Sequence, residues 1–180
     1  MPDAPPAPGF SRRWFVFVGA VLAVVLLVFL FIRRNDTPSV PEGVYLRLSE
    51  WMMPGEPAVG DFAMACLPDA EAAFVARERG YLDEAPWACA SGVVPVLKRV
   101  AAVEGQTVEV TEAGVFVDGA RVGEAPPTAD SQGRPIAPAY GMYRLGAGEA
   151  WLASDIPNGY DSRYAGPLVP EARAWLLVEL

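Results

Sequence analysis

An uninterrupted apolar run near the N-terminus most constrains what this chain can fold into. From Trp14 to Ile32 the sequence reads WFVFVGAVLAVVLLVFLFI, without a charged side chain. About 20 apolar residues in an α-helix span the hydrocarbon core of a bilayer. The run therefore predicts a single transmembrane anchor over 14–32, which ties the rest of the chain to a membrane.

Two other interpretations of this run are weaker. A cleaved signal peptide has a shorter apolar core followed by a small-x-small cleavage site, whereas the polar segment 33–36 follows here. Residues 11–15, Ser-Arg-Arg-Trp-Phe, are similar to a twin-arginine export signal, but such a signal has a less hydrophobic core. The predicted organisation is a short Pro- and Ala-rich N-terminal tail over 1–13, the anchor, and a domain over 35–180.

Composition excludes several classes of protein. A chain of 180 residues with a net charge of −8 predicts one domain of ordinary size and offers no basic stripe for nucleic acid. The chain has no histidine, which excludes Ser-His-Asp and Cys-His catalysis and most zinc sites. No metal, nucleotide or other cofactor is implied.

Lys98 is the only lysine, since all the other basic side chains are arginines. A lysine among apolar neighbours can lose its proton near neutral pH, which an arginine cannot. Lys98 lies in the β-branched run Val93–Val100, and two-residue alternation places it on the face of Val94, Val96 and Val100. A desolvated lysine can act as a general base. The alternative is a lysine that reaches from a strand edge to water.

The charges around the anchor do not give its orientation, because two arginines precede it and two follow it. Cys66 and Cys89 bracket a short segment of the domain. A disulfide between them would be typical of an oxidising compartment, although two unrelated buried thiols remain an alternative. The pair favours a single-pass protein of the inner (cytoplasmic) membrane with its large domain on the periplasmic side.

Short alternating runs beyond the anchor predict a mainly β domain. The candidate strands are 44–48, 61–66, 93–100, 108–110, 115–117, 121–122, 151–153 and 174–178, with a tight turn at Asp118-Gly119. Between the cysteines, Pro68 and the acidic Asp69 and Glu71 precede basic residues and Gly80, which predicts one helix. The predicted fold is mainly β, with one N-terminal transmembrane helix and a short cysteine-bracketed helical excursion.

Ser39 follows the anchor closely, between Pro38 and Pro41. The prolines hold the serine in a rigid, extended segment. A hydroxyl is a weak nucleophile until a base takes its proton, and without histidine Lys98 is the one candidate base of the right type. The alternative is a linker serine in a Pro-rich turn next to the membrane.

Four segments in order resemble the motifs of the membrane-anchored type I signal peptidases. They are 35–45, which holds Ser39; 59–61, which resembles a structural strand; 97–106, which holds Lys98; and 154–155 followed by 161–166. The cysteine-bracketed excursion over 66–89 and the stretch 130–135 resemble the conjugative-transfer (TraF-type) branch of that family.

The resemblance implies a β-rich catalytic domain outside the cytoplasm that cleaves after small-x-small segments emerging from the membrane. Ser39 is then the nucleophile and Lys98 the general base. The oxyanion is held by the backbone N–H of Ser39 and by a hydroxyl two residues earlier, here Thr37. Asp161 matches a family aspartate that forms an ion pair, and Arg163 is the expected partner on a shared strand face. That pair has either a structural or a catalytic role.

The motifs also depart from the family pattern. The family usually has a serine two residues before the aspartate, hydrogen-bonded to the lysine amine, and this chain has Gly159. The orientation of Lys98 then falls to Ser154, Asp155 or a water. Gln106 also stands where an aspartate is common.

The predicted function is a membrane-anchored serine endopeptidase with a Ser39–Lys98 dyad that processes exported preproteins. The favoured substrate is a conjugative propilin, matured by hydrolysis or by cyclisation, which the sequence does not distinguish. Other conjugative transfer proteins are further expected partners. A general type I signal peptidase is the alternative of the same class. A non-catalytic, membrane-anchored assembly component of a conjugative transfer apparatus is the alternative of another class.

Overall fold

The computed structural model describes residues 12–49, 52–68 and 70–180. The helices are α1 (Arg12–Phe31), α2 (Ala70–Glu78) and α3 (Ser162–Ala165), and the strands, in chain order, are β1 (Ile32–Asn35), β2 (Gly43–Ser49), β3 (Phe62–Ala65), β4 (Val96–Ala102), β5 (Thr107–Thr111), β6 (Gly114–Val117), β7 (Ala120–Gly123), β8 (Gly141–Arg144), β9 (Trp151–Ala153) and β10 (Pro170–Glu179). The predicted tail up to residue 11 and Asp69 lie outside the described residues.

The described strands form two antiparallel sheets, so the prediction of a mainly β domain is confirmed. The larger sheet has the order β1-β2-β10-β3-β4-β9, and the smaller has the order β7-β6-β5-β8. One apolar cluster includes Val100 and Leu152 together with Ala76 of α2. Another is built around Val108 and Trp151. Leu152 and Trp151 are successive residues of β9 and lie in different clusters, because successive residues of a strand face opposite sides.

Strand β4 lies inside the larger sheet, paired with β3 on one side and β9 on the other. Its residues alternate strictly between buried and half-buried. Val96, Lys98, Val100 and Ala102 are the buried ones, so the expectation that the sole lysine shares an apolar face is confirmed for Val96 and Val100. Val94, expected on the same face, precedes the strand and is half-buried. The strand begins at Val96 rather than at residue 93 as predicted, because Val93 makes only an isolated bridge with Glu84.

The excursion between β3 and β4 is closed by a disulfide. Cys66 and Cys89 are bonded, with their Cα atoms 5.6 Å apart. The predicted helix is present as α2, and Gly80 follows it with a φ of 69°, a left-handed conformation in which glycine is unstrained. Tying both ends of the excursion fixes where its residues lie relative to β4.

The predicted anchor falls on α1, which runs into β1 at Ile32. Many of its apolar side chains are exposed, among them Phe17 and Leu26. Over the described parts of the chain, no helix combines the length and apolar character needed to cross a membrane. The transmembrane anchor therefore stays a prediction.

Three further local expectations are wrong. The segment that holds Ser39 is not extended, because Pro38 and Ser39 lie in a turn between β1 and β2. Residues 59–61 do not form a strand: Val59 and Gly60 lie in a turn, and β3 begins only at Phe62. Residues 161–163 are not extended either, because Asp161 is the N-cap of the short helix α3 and its side chain accepts from the Arg163 N–H. An N-terminal carboxylate that satisfies a helix N–H favours this cap over a strand.

Candidate active site

Ser39 lies in the loop between β1 and β2, and only 7% of it is exposed. The Asn35 side chain holds this loop together. Its Nδ2 donates to the carbonyl oxygens of Thr37, Val40 and Pro41 at 2.7, 3.2 and 3.2 Å. One amide at the end of β1 thus fixes the loop on both sides of the serine. No role for Asn35 was predicted from the sequence, although an Asx-type loop residue two positions before Thr37 is a recognisable signal.

The Thr37 hydroxyl links Asn35 to Ser39. Thr37 Oγ1 lies 2.8 Å from Asn35 Oδ1 and 3.0 Å from Ser39 Oγ. An amide oxygen only accepts, so the single Thr37 proton goes to Asn35 and the Ser39 hydroxyl donates to Thr37. In this resting arrangement the Ser39 proton is directed at Thr37.

Lys98 is as buried as Ser39, with 7% of the residue exposed. Burial penalises its charged form and lowers its pKa to about 8. The charges of Asp161 and Asp155 oppose this shift, whereas that of Arg163 reinforces it. At a pKa of about 8 a substantial fraction of Lys98 is neutral just above physiological pH, as a general base requires.

Ser39 and Lys98 line one cavity of about 670 Å³. Thr37 and Gly159 also line it, and so do residues of the excursion and of the segment 129–136. Among the described contacts the Ser39 hydroxyl is hydrogen-bonded to Thr37, not to the Lys98 amine. Catalytic hydrogen bonds are often long in a free enzyme and shorten when substrate binds. The described residues contain no cluster of acidic or cysteine side chains placed to hold a metal ion.

Asp161 and Arg163 form a buried ion pair next to the cavity. Asp161 Oδ2 lies 2.6 Å from Arg163 Nη2, and Asp161 is fully buried. The Asp161 carboxylate also accepts the Ser154 N–H at 2.7 Å. Arg163 donates in turn to the carbonyl oxygens of Ile156 and Gly159. The pair therefore fixes the loop after β9, and neither of its residues lines the cavity.

Asp155 connects that loop to the nucleophile. Its backbone N–H donates to the Ser39 carbonyl oxygen at 2.8 Å. Its carboxylate binds Arg99 through both oxygens, at 3.1 and 3.0 Å. Arg99 also lies over the Phe62 ring, 4.6 Å from its centroid. Because this carboxylate is committed to Arg99, it is a poor candidate for the group that orients Lys98.

The far part of the cavity lining is held to the disulfide-closed excursion by a polar cluster that sequence reasoning missed. Tyr81 Oη donates to Asp130 Oδ2 at 2.6 Å, and Arg134 Nε lies 2.7 Å from the same oxygen. These hydrogen bonds and neighbouring backbone N–H groups keep the pKa of Asp130 well below its usual range, against the effect of desolvation. Arg79 donates to the Pro135 carbonyl oxygen at 2.6 Å. The cluster joins residues about 50 positions apart in the chain, so no local sequence pattern predicts it.

The family of the chain follows from a match over most of its length. The family described as signal peptidase, peptidase S26, matches residues 10–174. The chain belongs to this family. The resemblance found in the four segments is thereby confirmed, and membership supports a peptidase of the signal peptidase type.

Curated relatives of this S26 family protein are conjugal transfer proteins. It is 37% identical over 158 residues to the conjugal transfer protein TraF of Agrobacterium tumefaciens, covering 87% of this chain and 84% of the relative. It is 34% identical over 161 residues to the plasmid transfer protein TraF of Escherichia coli, covering 86% of each. A probable conjugal transfer protein TraF of Sinorhizobium fredii is 41% identical over 137 residues, 76% of this chain and 69% of the relative. The chain thus lies in the TraF-type branch.

Proposed function

We propose that this protein is a serine endopeptidase with a Ser39–Lys98 dyad that matures an exported propilin for conjugative transfer. One observation carries the proposal. The only lysine of the chain is buried on an apolar strand face and lines the same cavity as Ser39. A fully exposed lysine would keep its ordinary pKa, and a structural one would need no nucleophile beside it.

In the proposed reaction, neutral Lys98 takes the proton of Ser39 as Oγ attacks the scissile carbonyl carbon. The carbonyl π electrons move to oxygen, and the resulting ammonium of Lys98 then protonates the leaving amine as the C–N bond breaks. An ester on Ser39 remains. Water attacks this ester and loses one proton to Lys98. Lys98 then returns that proton to Ser39 Oγ as the ester C–O bond breaks, which restores Ser39 and releases the acid product, which ionises to a carboxylate in solvent.

The oxyanion needs donors that are already in place. The backbone N–H of Ser39 is one, and the Thr37 hydroxyl is proposed as the other. In the free protein that hydroxyl donates to Asn35 Oδ1. To serve the oxyanion, the Thr37 hydroxyl rotates its proton away from Asn35 Oδ1 as the negative charge develops. The Asn35 amide keeps the loop in place while this happens.

The proposed location is the inner membrane, with the domain on the periplasmic side and α1 as a single-pass anchor. The charge-free apolar sequence of α1 beyond its first two residues supports the anchor, and the disulfide between Cys66 and Cys89 supports an oxidising compartment. Ser39 follows the helix within a few residues, so the cavity would lie close to the bilayer surface. A segment emerging from the membrane would then reach Ser39.

The substrate assignment rests on the relatives, which are named as conjugal or plasmid transfer proteins. A pilin precursor is the exported substrate that such an apparatus needs to have processed. The ester on Ser39 is open to water, which gives a linear product, and to the substrate's own amino terminus, which gives a ring. Other proteins of the conjugative apparatus are proposed partners.

The deciding experiment measures propilin processing in cells that express wild type, Ser39→Ala or Lys98→Arg at equal membrane levels. Loss of processing in both variants would support the dyad, because arginine keeps the charge but cannot act as a base. Full processing by either variant would contradict it and favour a non-catalytic assembly component. A generic secreted preprotein serves as a second substrate, and equal cleavage of both would favour a general signal peptidase.

A further inference from the structure

The Ser154 hydroxyl is a buried polar group with no partner. Its Oγ is shielded from solvent and makes no hydrogen bond within the described residues. A buried hydroxyl of this kind is unfavourable, and in native proteins it calls for a specific explanation. The backbone of Ser154 is firmly held, since its N–H donates to Asp161 Oδ2 at 2.7 Å and the next N–H donates to the Ser39 carbonyl oxygen at 2.8 Å. The backbone of Ser154 is therefore held in place, while its hydroxyl has no hydrogen-bond partner among the described residues.

The register of the sheet puts this hydroxyl beside the lysine. Arg99 pairs with Ala153 and Val100 with Leu152 across the antiparallel β4–β9 ladder. Continued one step beyond the last paired residues, the same register sets Lys98 opposite Ser154, which directly follows β9. Residues that face each other in this way point to the same side of a sheet, with Cβ atoms roughly 5 Å apart. Ser154 is thus the cross-strand neighbour of Lys98.

The Ser154 hydroxyl occupies the space that a side chain at position 159 would need. A Cβ on Gly159 would lie 1.9 Å from Ser154 Oγ and 2.3 Å from Ser154 Cβ. Gly159 itself lines the cavity that contains Lys98. The position where a side chain at 159 would begin is therefore filled by the hydroxyl of residue 154. Only one of these two positions can carry a side chain.

The charged groups that act on Lys98 are already engaged with other partners. The Asp155 carboxylate is bound to Arg99. Asp161 and Arg163 bind each other and the backbone of the loop. These three are the charged groups that act on Lys98. The uncommitted hydroxyl on its face is that of Ser154.

We propose that Ser154 is a positioning residue for the general base: its hydroxyl accepts a hydrogen bond from the Lys98 amine and directs the nitrogen lone pair at Ser39. The proposal rests on the proposed Ser39–Lys98 chemistry. A neutral amine has two N–H donors and one lone pair. If one N–H is held by Ser154, rotation of the amine is restricted and the lone pair can face the serine. A rotamer change of either side chain closes the bond, which the free structure leaves open.

The test compares four variants of the full-length protein in detergent, with a propilin-derived peptide as substrate. Ser154→Ala removes the hydroxyl. Gly159→Ser forces a side chain into occupied space. The exchange Ser154→Gly/Gly159→Ser moves the hydroxyl to the other side of the same space, and Ser154→Gly/Gly159→Ala restores volume there without a hydroxyl. Once Ser154 is glycine, the nearest remaining atom to the new Cβ is Ile156 Cγ1 at 3.6 Å, an ordinary contact.

We expect Ser154→Ala to lower kcat about 10- to 100-fold with little change in KM, as small misplacements of a reacting group do. The acid limb of its pH profile should move to lower pH, because the ammonium form of Lys98 loses an acceptor. The double variant Ser154→Gly/Gly159→Ser should recover most of the wild-type kcat, whereas Ser154→Gly/Gly159→Ala should not. A purely structural role would instead give equal recovery in both exchanges, at matched thermal stability, and would leave the pH profile unchanged.

Ser91→Ala is the matched control, because Ser91 Oγ is also buried without a partner among the described residues and does not line the cavity. It should leave kcat and the pH profile unchanged. If Ser154→Ala behaves like Ser91→Ala while Ser39→Ala and Lys98→Arg are inactive, the positioning role is wrong and the dyad stands. If Ser39→Ala or Lys98→Arg is active, the dyad itself is wrong.

Discussion

Asp161 Oδ2 lies 2.6 Å from Arg163 Nη2 in an ion pair that is almost completely shielded from water. The two charges act on Lys98 in opposite directions, the carboxylate raising its pKa and the guanidinium lowering it. Desolvation of the amine is the largest cause and lowers the pKa, and the guanidinium partly offsets the opposing effect of the carboxylate. The pair thus supports the site in two ways, by fixing the loop after β9 and by keeping the net charge near Lys98 small.

Arg163→Met tests this balance. Asp161 would then be a buried, unpaired carboxylate that raises the pKa of Lys98, so the acid limb of kcat/KM should move to higher pH. Breaking a buried pair by removing one partner typically destabilises a protein by about 3–5 kcal/mol. Denaturant unfolding and a pH profile measure the two effects. Arg121→Met, which removes an exposed ion pair with Glu124, should change neither, and an unshifted profile in Arg163→Met would contradict the electrostatic role.

The pH dependence of the wild type follows from the lowered pKa of Lys98, about 8. The active form has a neutral amine, so kcat/KM should rise about tenfold per pH unit below pH 8 and level off above it. Because removal of the Lys98 proton produces the active form, kcat/KM increases with pH. Peptide cleavage from about pH 6 to about pH 10 measures the profile. A flat profile, or one that falls with pH, would show that Lys98 is not the base.

The face of strand β4 on which Lys98 lies was predictable from the sequence, because two-residue alternation in a β-branched run is a local property. Ser39 was singled out by its place between two prolines after the apolar run and by the family resemblance. Elimination then pointed to Lys98 as the candidate base, since the chain has no histidine. The contacts that Asn35, Ser154 and Tyr81 make were not predictable. Each depends on which strands become neighbours or on how loops fold back, and neither follows from the spacing of residues along the chain. For the same reason the ion pair of Asp161 was expected on a strand, whereas it caps a helix.

Lys98→Met should abolish activity and stabilise the fold near neutral pH. The pKa of Lys98 falls from its ordinary value of 10.5 to about 8 in the folded protein, so the unfolded chain binds more protons between these values. The free energy of unfolding of the wild type therefore rises with pH over that window. Below the window the cost of burying the charged amine is present in full, about 3 kcal/mol at roughly 1.4 kcal/mol per pKa unit. Methionine removes the charge and keeps most of the volume.

Unfolding of wild type and Lys98→Met in detergent, at about pH 7 and about pH 10.5, checks this prediction. The difference in the free energy of unfolding between the two proteins should be large at the lower pH and smaller at the higher pH. An equal difference at both values would mean that packing, rather than the buried charge, separates the two proteins. Arg47→Met, a half-buried position on β2, controls for the general effect of replacing a basic side chain.

The variants Thr37→Val and Thr37→Ser distinguish the contribution of the Thr37 hydroxyl to activity from that of its branched shape. Valine keeps the branched side chain but loses the donor, and loss of one oxyanion donor costs about 100- to 1,000-fold in kcat. Serine keeps the hydroxyl, so it should retain most of the activity. Single-turnover cleavage of a peptide gives the acylation rate directly. Equal activity in Thr37→Val and the wild type would remove Thr37 from the mechanism.

The disulfide between Cys66 and Cys89 should govern substrate binding more than chemistry. It closes the excursion that supplies Tyr81 to the cavity lining, while Ser39 and Lys98 lie on elements outside the excursion. Replacing both cysteines with alanine should reduce stability by on the order of 3 kcal/mol, and it should raise KM more than it lowers kcat. Tyr81→Phe removes only the hydrogen bond to Asp130 and should give a smaller rise in KM. If the cysteine variant lowers kcat with an unchanged KM, the excursion acts on the catalytic groups rather than on the bound segment.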